Sequence, residues 1–244
     1  MLHTAVRSLG LNDTSPFVIS DKVVEFAVAG KTDVLPALSC RAFTDELSSS
    51  SIAPGGGSVS ALAAALAAGL ASMTSNITFT KKDFRRSRGL MTEISTRSQQ
   101  LKDRALQLID EDTNAFNDYI GAIRLPKKTE AEQKLRDEAI EQAAKNITIV
   151  PFETLGIAAE AAELAEKVLR RGIPSTASDS GTALAQAEAS ALGAWMNVKI
   201  NLPGIKDRNF ADETEIRADE LLASARAAAK RGIAYVKRTF ENAD

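Results

Sequence analysis

One histidine and one cysteine are all that 244 residues contain of either type. His3 stands in the first few residues, and no second histidine or cysteine can complete a metal site or a nucleophile–base pair with it. Zinc hydrolysis, Cys–His catalysis and Ser–His–Asp chemistry are thereby excluded within one chain, no metal is expected, and proton transfer falls to carboxylates, lysines or tyrosines. Cys40 alone makes no internal disulfide, and no apolar signal-peptide core follows Met1. A reducing, cytoplasmic setting is the expectation. There is no excess of basic residues either: the formal net charge is -2, which argues against nucleic acid or an anionic membrane as the main partner. Strand alternation, hairpin turns and internal repeats are missing throughout.

What is present is helix periodicity and a great deal of alanine. The chain is organised around residues 53–79, which open with Ala53-Pro54-Gly55-Gly56-Gly57-Ser58. Three glycines after a proline make a loop without side-chain shielding, and Gly57 or Ser58 can open a helix whose free N–H groups suit a carboxylate, phosphate or polarised carbonyl. Along that helix Val59, Leu62, Leu66, Gly69 or Leu70, Met73 and Ile77 recur at three- and four-residue steps, while alanines and serines fill the other faces. Neighbours can approach it on several sides, so it should run through the middle of a bundle. Ser58, Ser60, Ser72, Ser75 and Asn76 interrupt it too often for a membrane span.

Residues 1–39 differ from the rest. Asn12-Asp13, Ser15-Pro16, Gly30-Lys31 and Pro36 break them up around one apolar run at Val23, Val24, Phe26, Ala27 and Val28. They read as a linker carrying a short helix or strand, with the main domain over 40–244. Residues 43–47 begin a short helix, and 83–123 read as one long helix preceded by a basic cluster of Lys81, Lys82, Arg85 and Arg86 that can attract an anionic ligand tail. On it, Leu101, Ala105, Leu108, Asp112, Ala115 and Tyr119 form a single stripe. Asp112 thus falls on the apolar side, while Asp110 and Glu111 face the polar side. A carboxylate turned toward a core is costly unless paired or used, and burial raises its pKa toward that of a working base.

Pro126 ends this helix, and Thr129 with Glu132 makes a capping box for the next, which carries Leu135, Ile140, Ala143 and Ile147 inward. It kinks or breaks at Pro151 and continues to Gly172. Another alanine-rich helix follows with Ser178 or Ser180 as cap and Asp179 at its start. Ser190, Gly193, Asn197 and Asn201 share one of its faces, suited to closing on a polar ligand. Pro203-Gly204 stops it, and Asp212 with Glu215 caps a last helix with Leu222, Ala225, Ala229, Ile233, Val236 and Phe240 inward. The fold class is all-α, a bundle of long antiparallel helices whose alanine-rich faces are expected to pair with a second copy.

Several of these pieces together resemble a known family. They are Phe43-Thr44-Asp45-Glu46-Leu47, the 53–58 loop, Thr80-Lys81-Lys82-Asp83-Phe84, Ile109-Asp110-Glu111-Asp112-Thr113-Asn114-Ala115-Phe116, Arg124-Leu125-Pro126-Lys127, Ser178-Asp179 and Asn197-Val198-Lys199-Ile200-Asn201-Leu202. Each is short, but their order across 43–202 is specific, and it is similar to the cyclodeaminase domain of formiminotransferase-cyclodeaminase and its relative, methenyltetrahydrofolate cyclohydrolase. Ala5-Val6-Arg7-Ser8-Leu9-Gly10-Leu11 and Lys22-Val23-Val24-Glu25-Phe26 also resemble the C-terminal tail of a glutamate formiminotransferase, which implies a fused domain or partner of that kind.

The resemblance implies a lyase of histidine degradation that converts 5-formiminotetrahydrofolate to 5,10-methenyltetrahydrofolate and ammonia. The tetrahydrofolate derivative, polyglutamylated or not, is the substrate, and no covalently bound cofactor is needed. Asp112 matches the family's proton acceptor. Gly55, Gly56, Gly57 and Ser58 would offer N–H groups to the folate, Asp179, Asn197 and Asn201 would hold the pterin edge or assist proton transfer, and Lys81, Lys82 and Arg85 would attract the glutamate tail. Family members are dimers or higher assemblies, which implies a homodimer with a site shared between chains. Two alternatives stand beside this reading: a cyclohydrolase acting on the methenyl bridge, and a non-catalytic helical assembly module.

Overall fold

A computed structural model describes residues 34–51 and 53–241; the linker expected over 1–39 lies mostly outside them. The described residues hold six α-helices: α1 (Cys40–Leu47), α2 (Gly56–Thr80), α3 (Arg88–Ile123), α4 (Glu130–Arg171), α5 (Ala177–Asn201) and α6 (Arg208–Glu241). No strand occurs among them, so the all-α expectation holds. Sequence neighbours α2 to α6 run antiparallel, as their short connections require. Bidentate pairs Arg97–Glu160 and Arg104–Glu153 tie α3 to α4, and Trp195 donates from α5 to Asp219 of α6.

Alanine writes the core. On α2, Ala64, Ala67, Ala68 and Ala71 are fully buried against α3, α4 and α5. Small side chains let packed helix axes approach closely. The fourth side of α2 is open. Leu66 is 51% exposed, and Val59 and Met73 share that face, with Met196 and Ile200 exposed on α5. The periodic stripe of large residues on α2 is therefore its outer face, and the central helix expected from the sequence is enclosed on three sides only. By length and composition α2 could also cross a membrane, yet 56% of its most apolar window is packed inside this bundle.

Several boundaries differ from the sequence reading. A 3-10 segment, Lys82–Ser87, carries most of the basic cluster and precedes α3, which starts at Arg88 and not at 83. Neither Ser178 nor Ser180 caps α5, because the 3-10 turn Pro174–Thr176 leads into it with Thr176 at the cap position. The last helix starts before Asp212: Asp207 accepts from the Phe210 N–H through its carboxylate and from the Ala211 N–H through its carbonyl. Leu135, in the second turn of α4, and Phe240, at the end of α6, are exposed and do not face inward as expected. The Thr129–Glu132 capping box is present, and α4 continues through Pro151. Glu166 of α4 is gripped by Arg231 of α6 and Arg170 of its own helix, and those hydrogen bonds hold its carboxyl below the usual carboxylate range.

Candidate functional site

The start of α2 and the middle of α3 meet at Asp112. Gly55 occupies the cap position of α2 in extended conformation with no side chain to offer, so the first N–H groups of the helix are left for other acceptors. Asp112 takes those of Ser58: its Oδ2 accepts from the Ser58 hydroxyl at 3.1 Å, and the carboxylate also accepts from the Ser58 backbone. The carboxylate lies at the positive end of α2. Burial nonetheless dominates and pushes the Asp112 carboxyl above its ordinary value, with the two Ser58 hydrogen bonds opposing the rise. The stripe of α3 explains the burial, since Leu101, Ala105, Leu108 and Ala115 on the same side are all in the core.

The glycines have a geometric reason. A Cβ on Gly57 would fall 2.0 Å from Asp112 Oδ1, and one on Gly56 would fall 3.4 Å from Asn197 Nδ2. Gly193 of α5 plays the same part against α2, because a Cβ there would meet Ser60 Oγ at 2.3 Å. Ser190 donates to the Ser60 carbonyl at 2.7 Å, which keys α5 to the first turns of α2. Asp112, Gly56, Gly57, Ser58 and Asn197 thus converge on one end of the bundle. Asn197 spends one amide proton on the Gly193 carbonyl at 2.8 Å. Its remaining amide groups stand beside the helix start.

The other residues singled out in the sequence lie elsewhere. Asn201 shares a face with Asn197 along α5, but it donates to the Ile147 carbonyl of α4 at 2.7 Å and is committed to the scaffold. Asp179 occupies the first turn of α5, 18 residues and therefore about 27 Å from Asn197 at 1.5 Å per residue. Lys81, Lys82 and Arg85 follow the far end of α2, about 37 Å from Gly56 on the same basis. One chain holds two groups of candidates, a carboxylate–amide group at one end and a basic group with Asp179 at the other. Thr113 was missed by the sequence reading. Its hydroxyl stands 3.4 Å from Ser58 Oγ, and its place next to Asp112 in the chain was the available signal. Among the described residues, no group of three or more histidine, cysteine, aspartate or glutamate side chains is arranged to hold a metal ion.

Fold and site together define a class: an all-α bundle that presents a half-buried carboxyl, raised above its ordinary value, at a glycine-rich helix start. The family model described as formiminotransferase-cyclodeaminase matches residues 39–220, and the chain belongs to that family. A formimidoyltransferase-cyclodeaminase of Rattus norvegicus is 32% identical over 227 residues, which is 92% of this chain and 42% of that protein. A methenyltetrahydrofolate cyclohydrolase of Methylorubrum extorquens is 35% identical over 195 residues, covering 80% of this chain and 94% of that one. Among solved structures, the formiminotetrahydrofolate cyclodeaminase of Thermotoga maritima superposes with a TM-score of 0.69 at 26% identity, over 84% of this chain and 96% of the other. The chain thus spans less than half the length of the fused rat relative and nearly all of the shorter proteins.

Proposed function

We propose that the chain is a formiminotetrahydrofolate cyclodeaminase. The observation that carries the reading is Asp112, a carboxylate raised by burial and seated against Ser58 at a helix start that only glycine permits. The anilino nitrogen of the folate attacks the formimino carbon and gives up its proton to Asp112. The proton is then supplied to the amino nitrogen of the tetrahedral adduct, the carbon–nitrogen bond breaks, and ammonia leaves behind the 5,10-methenyl product. A carboxyl above its ordinary value is a stronger base and still returns the proton readily. Asn197 and the exposed start of α2 at Gly56 would orient the substrate.

The two separated groups of candidates fit a shared site. The open apolar face of α2 runs the length of the helix, between the Asp112 end and the basic end. A second copy laid antiparallel on that face would carry the partner's Lys81, Lys82 and Arg85 to the Asp112 end, where they suit the anionic glutamate tail of a folate.

Cyclohydrolysis of the methenyl bridge is the second reading, and the relative from Methylorubrum favours it. Similarity extending over 98% of this chain to the formimidoyltransferase-cyclodeaminase of Gallus gallus, and so into the transferase-like residues before position 39, favours the cyclodeaminase. Ammonia release from 5-formiminotetrahydrofolate, followed in parallel with methenyl absorbance, separates the two. Coupled formation of both, lost in Asp112→Asn, supports the cyclodeaminase. Loss of added methenyltetrahydrofolate without ammonia supports the cyclohydrolase, and no reaction in either assay would leave the fold as an assembly module.

A further inference from the structure

Ser58 has no exposed surface, whereas Asp112 on α3 keeps part of its own. The Ser58 hydroxyl is thus closed to a bound folate, and its backbone N–H is already spent on the Asp112 carboxylate. Its Oγ stands 3.1 Å from Asp112 Oδ2, 3.1 Å from the Ile109 carbonyl oxygen and 3.4 Å from the Thr113 hydroxyl. A hydroxyl carries one proton and two lone pairs, so two acceptors at equal distance compete for a single donor. The charge on Asp112 decides between them. An ionised carboxylate is the stronger acceptor and draws the proton. A protonated Asp112 no longer does, and the Ser58 hydroxyl then turns to the Ile109 carbonyl while its oxygen is free to accept from the acid. The exchange is a rotation about one bond that displaces no heavy atom and leaves the buried hydroxyl paired in both states.

We propose that Ser58 is a positioning residue of the reaction, holding the Asp112 carboxyl in one place in both protonation states by turning its hydroxyl between Asp112 and the Ile109 carbonyl. The inference rests on Asp112 acting as the proton acceptor in the proposed reaction, and it replaces the substrate-binding role expected of Ser58. A fixed place matters because one proton is handled twice. With the formimino group entering as its amidinium cation, the anilino N–H bond breaks as an O–H bond forms on Asp112. That O–H bond breaks as an N–H bond forms on the amino nitrogen of the adduct, and the carbon–nitrogen bond then breaks to release ammonia. The proton taken up is the proton given back, so the site neither imports nor exports one. A carboxyl displaced by about an ångström between the two transfers would cost about a hundredfold. Among the described residues no charged side chain shares this control. Burial and Ser58 are what act on the Asp112 carboxyl. On its own helix Glu111 is bound to Arg104 and Asp110 accepts from the N–H groups of Val34 and Leu35, while Lys145 of α4 is paired with Asp207 and Lys199 of α5 with Glu215.

Ser58→Ala removes the hydroxyl and keeps the backbone donor. Ammonia release from 5-formiminotetrahydrofolate is to be measured across pH for wild type and variant, with a thermal melt as the check on folding. The Asp112 carboxyl is to be titrated in both by carbon NMR, its resonance identified by its loss in Asp112→Asn. The expected result is a folded variant with kcat lower by about tenfold or more and KM unchanged. The acid limb of kcat/KM and the titration of the Asp112 resonance should both move to higher pH, because the ionised carboxylate has lost a donor. A raised KM at unchanged kcat would overturn the assignment in favour of substrate binding. A lower kcat with acid limb and resonance unmoved would reduce Ser58 to packing, and a variant indistinguishable from wild type would remove it from the reaction. Those three outcomes leave the proposed function standing, whereas a wild type that releases no ammonia would overturn that function and the role of Ser58 with it.

Discussion

Asn201 donates to the main-chain oxygen of Ile147 at 2.7 Å, the oxygen that Pro151, four residues on, leaves without its helical partner. Helix α4 therefore passes through a proline because α5 supplies the missing donor. Asn201→Leu should destabilise the protein by about 1 kcal/mol, the lower end of the cost of leaving a carbonyl unsatisfied, because this one is only partly buried. Pro151→Ala restores the helical N–H and should recover most of that loss when the two are combined. Urea unfolding of the two single variants and the double variant checks this, and additive losses would contradict it.

Gly57→Ala places a methyl group on the Asp112 carboxylate. The helix start or the carboxylate must move by roughly an ångström, which is enough to cost about a hundredfold in turnover. The fold should survive, since the clash is with a side chain. Steady-state kinetics and a thermal melt on the same preparation distinguish the two effects.

Asp112→Asn should lower turnover by about 10²–10⁴ and raise stability at neutral pH. The sign follows from the raised carboxyl. Below its unfolded-state pKa the group is protonated in both states and exacts no penalty. As the pH rises through the higher folded-state value, the native protein must ionise a buried group and loses stability. The stability advantage of the asparagine variant should therefore vanish in acid and reach its full size above the folded-state pKa. Chemical denaturation as a function of pH measures it, and a constant difference across pH would count against burial as the cause.

Leu66→Glu puts a charge in the centre of the exposed face of α2. If that face is covered by a second copy, light scattering after gel filtration should show the variant as a monomer, with its helicity intact and its turnover reduced about tenfold or more through loss of the shared site. A variant that keeps the wild-type mass and activity would remove the antiparallel pairing.

The fold class was legible because periodicity carries it, and Asp112 was legible because a carboxylate on an apolar stripe breaks a pattern. The orientation of α2 was not. Alanine and leucine both count as apolar, and only packing reveals that small residues face inward here while Leu66 and Met73 face out. Asn197 and Asn201 share a helical face, so periodicity groups them, but that face crosses from α2 to α4 within one turn and gives them different partners. The helix starts at Thr176 and Asp207 were hidden by 3-10 turns and by stronger capping signals nearby at Ser178 and Asp212. The distance between Lys81 and Asp112 belongs to the third dimension and has no sequence signature.

The alanine seam of α2 also sets a mechanical tolerance. Alanine has no side-chain torsion to adjust, so Ala64, Ala67, Ala68 and Ala71 have no rotamer of their own to absorb a displacement. Asp112 rides on one of those neighbours. An added methyl group along this seam must be taken up by the rotamers of the side chains facing it or by a shift of α3, the helix that carries the carboxylate.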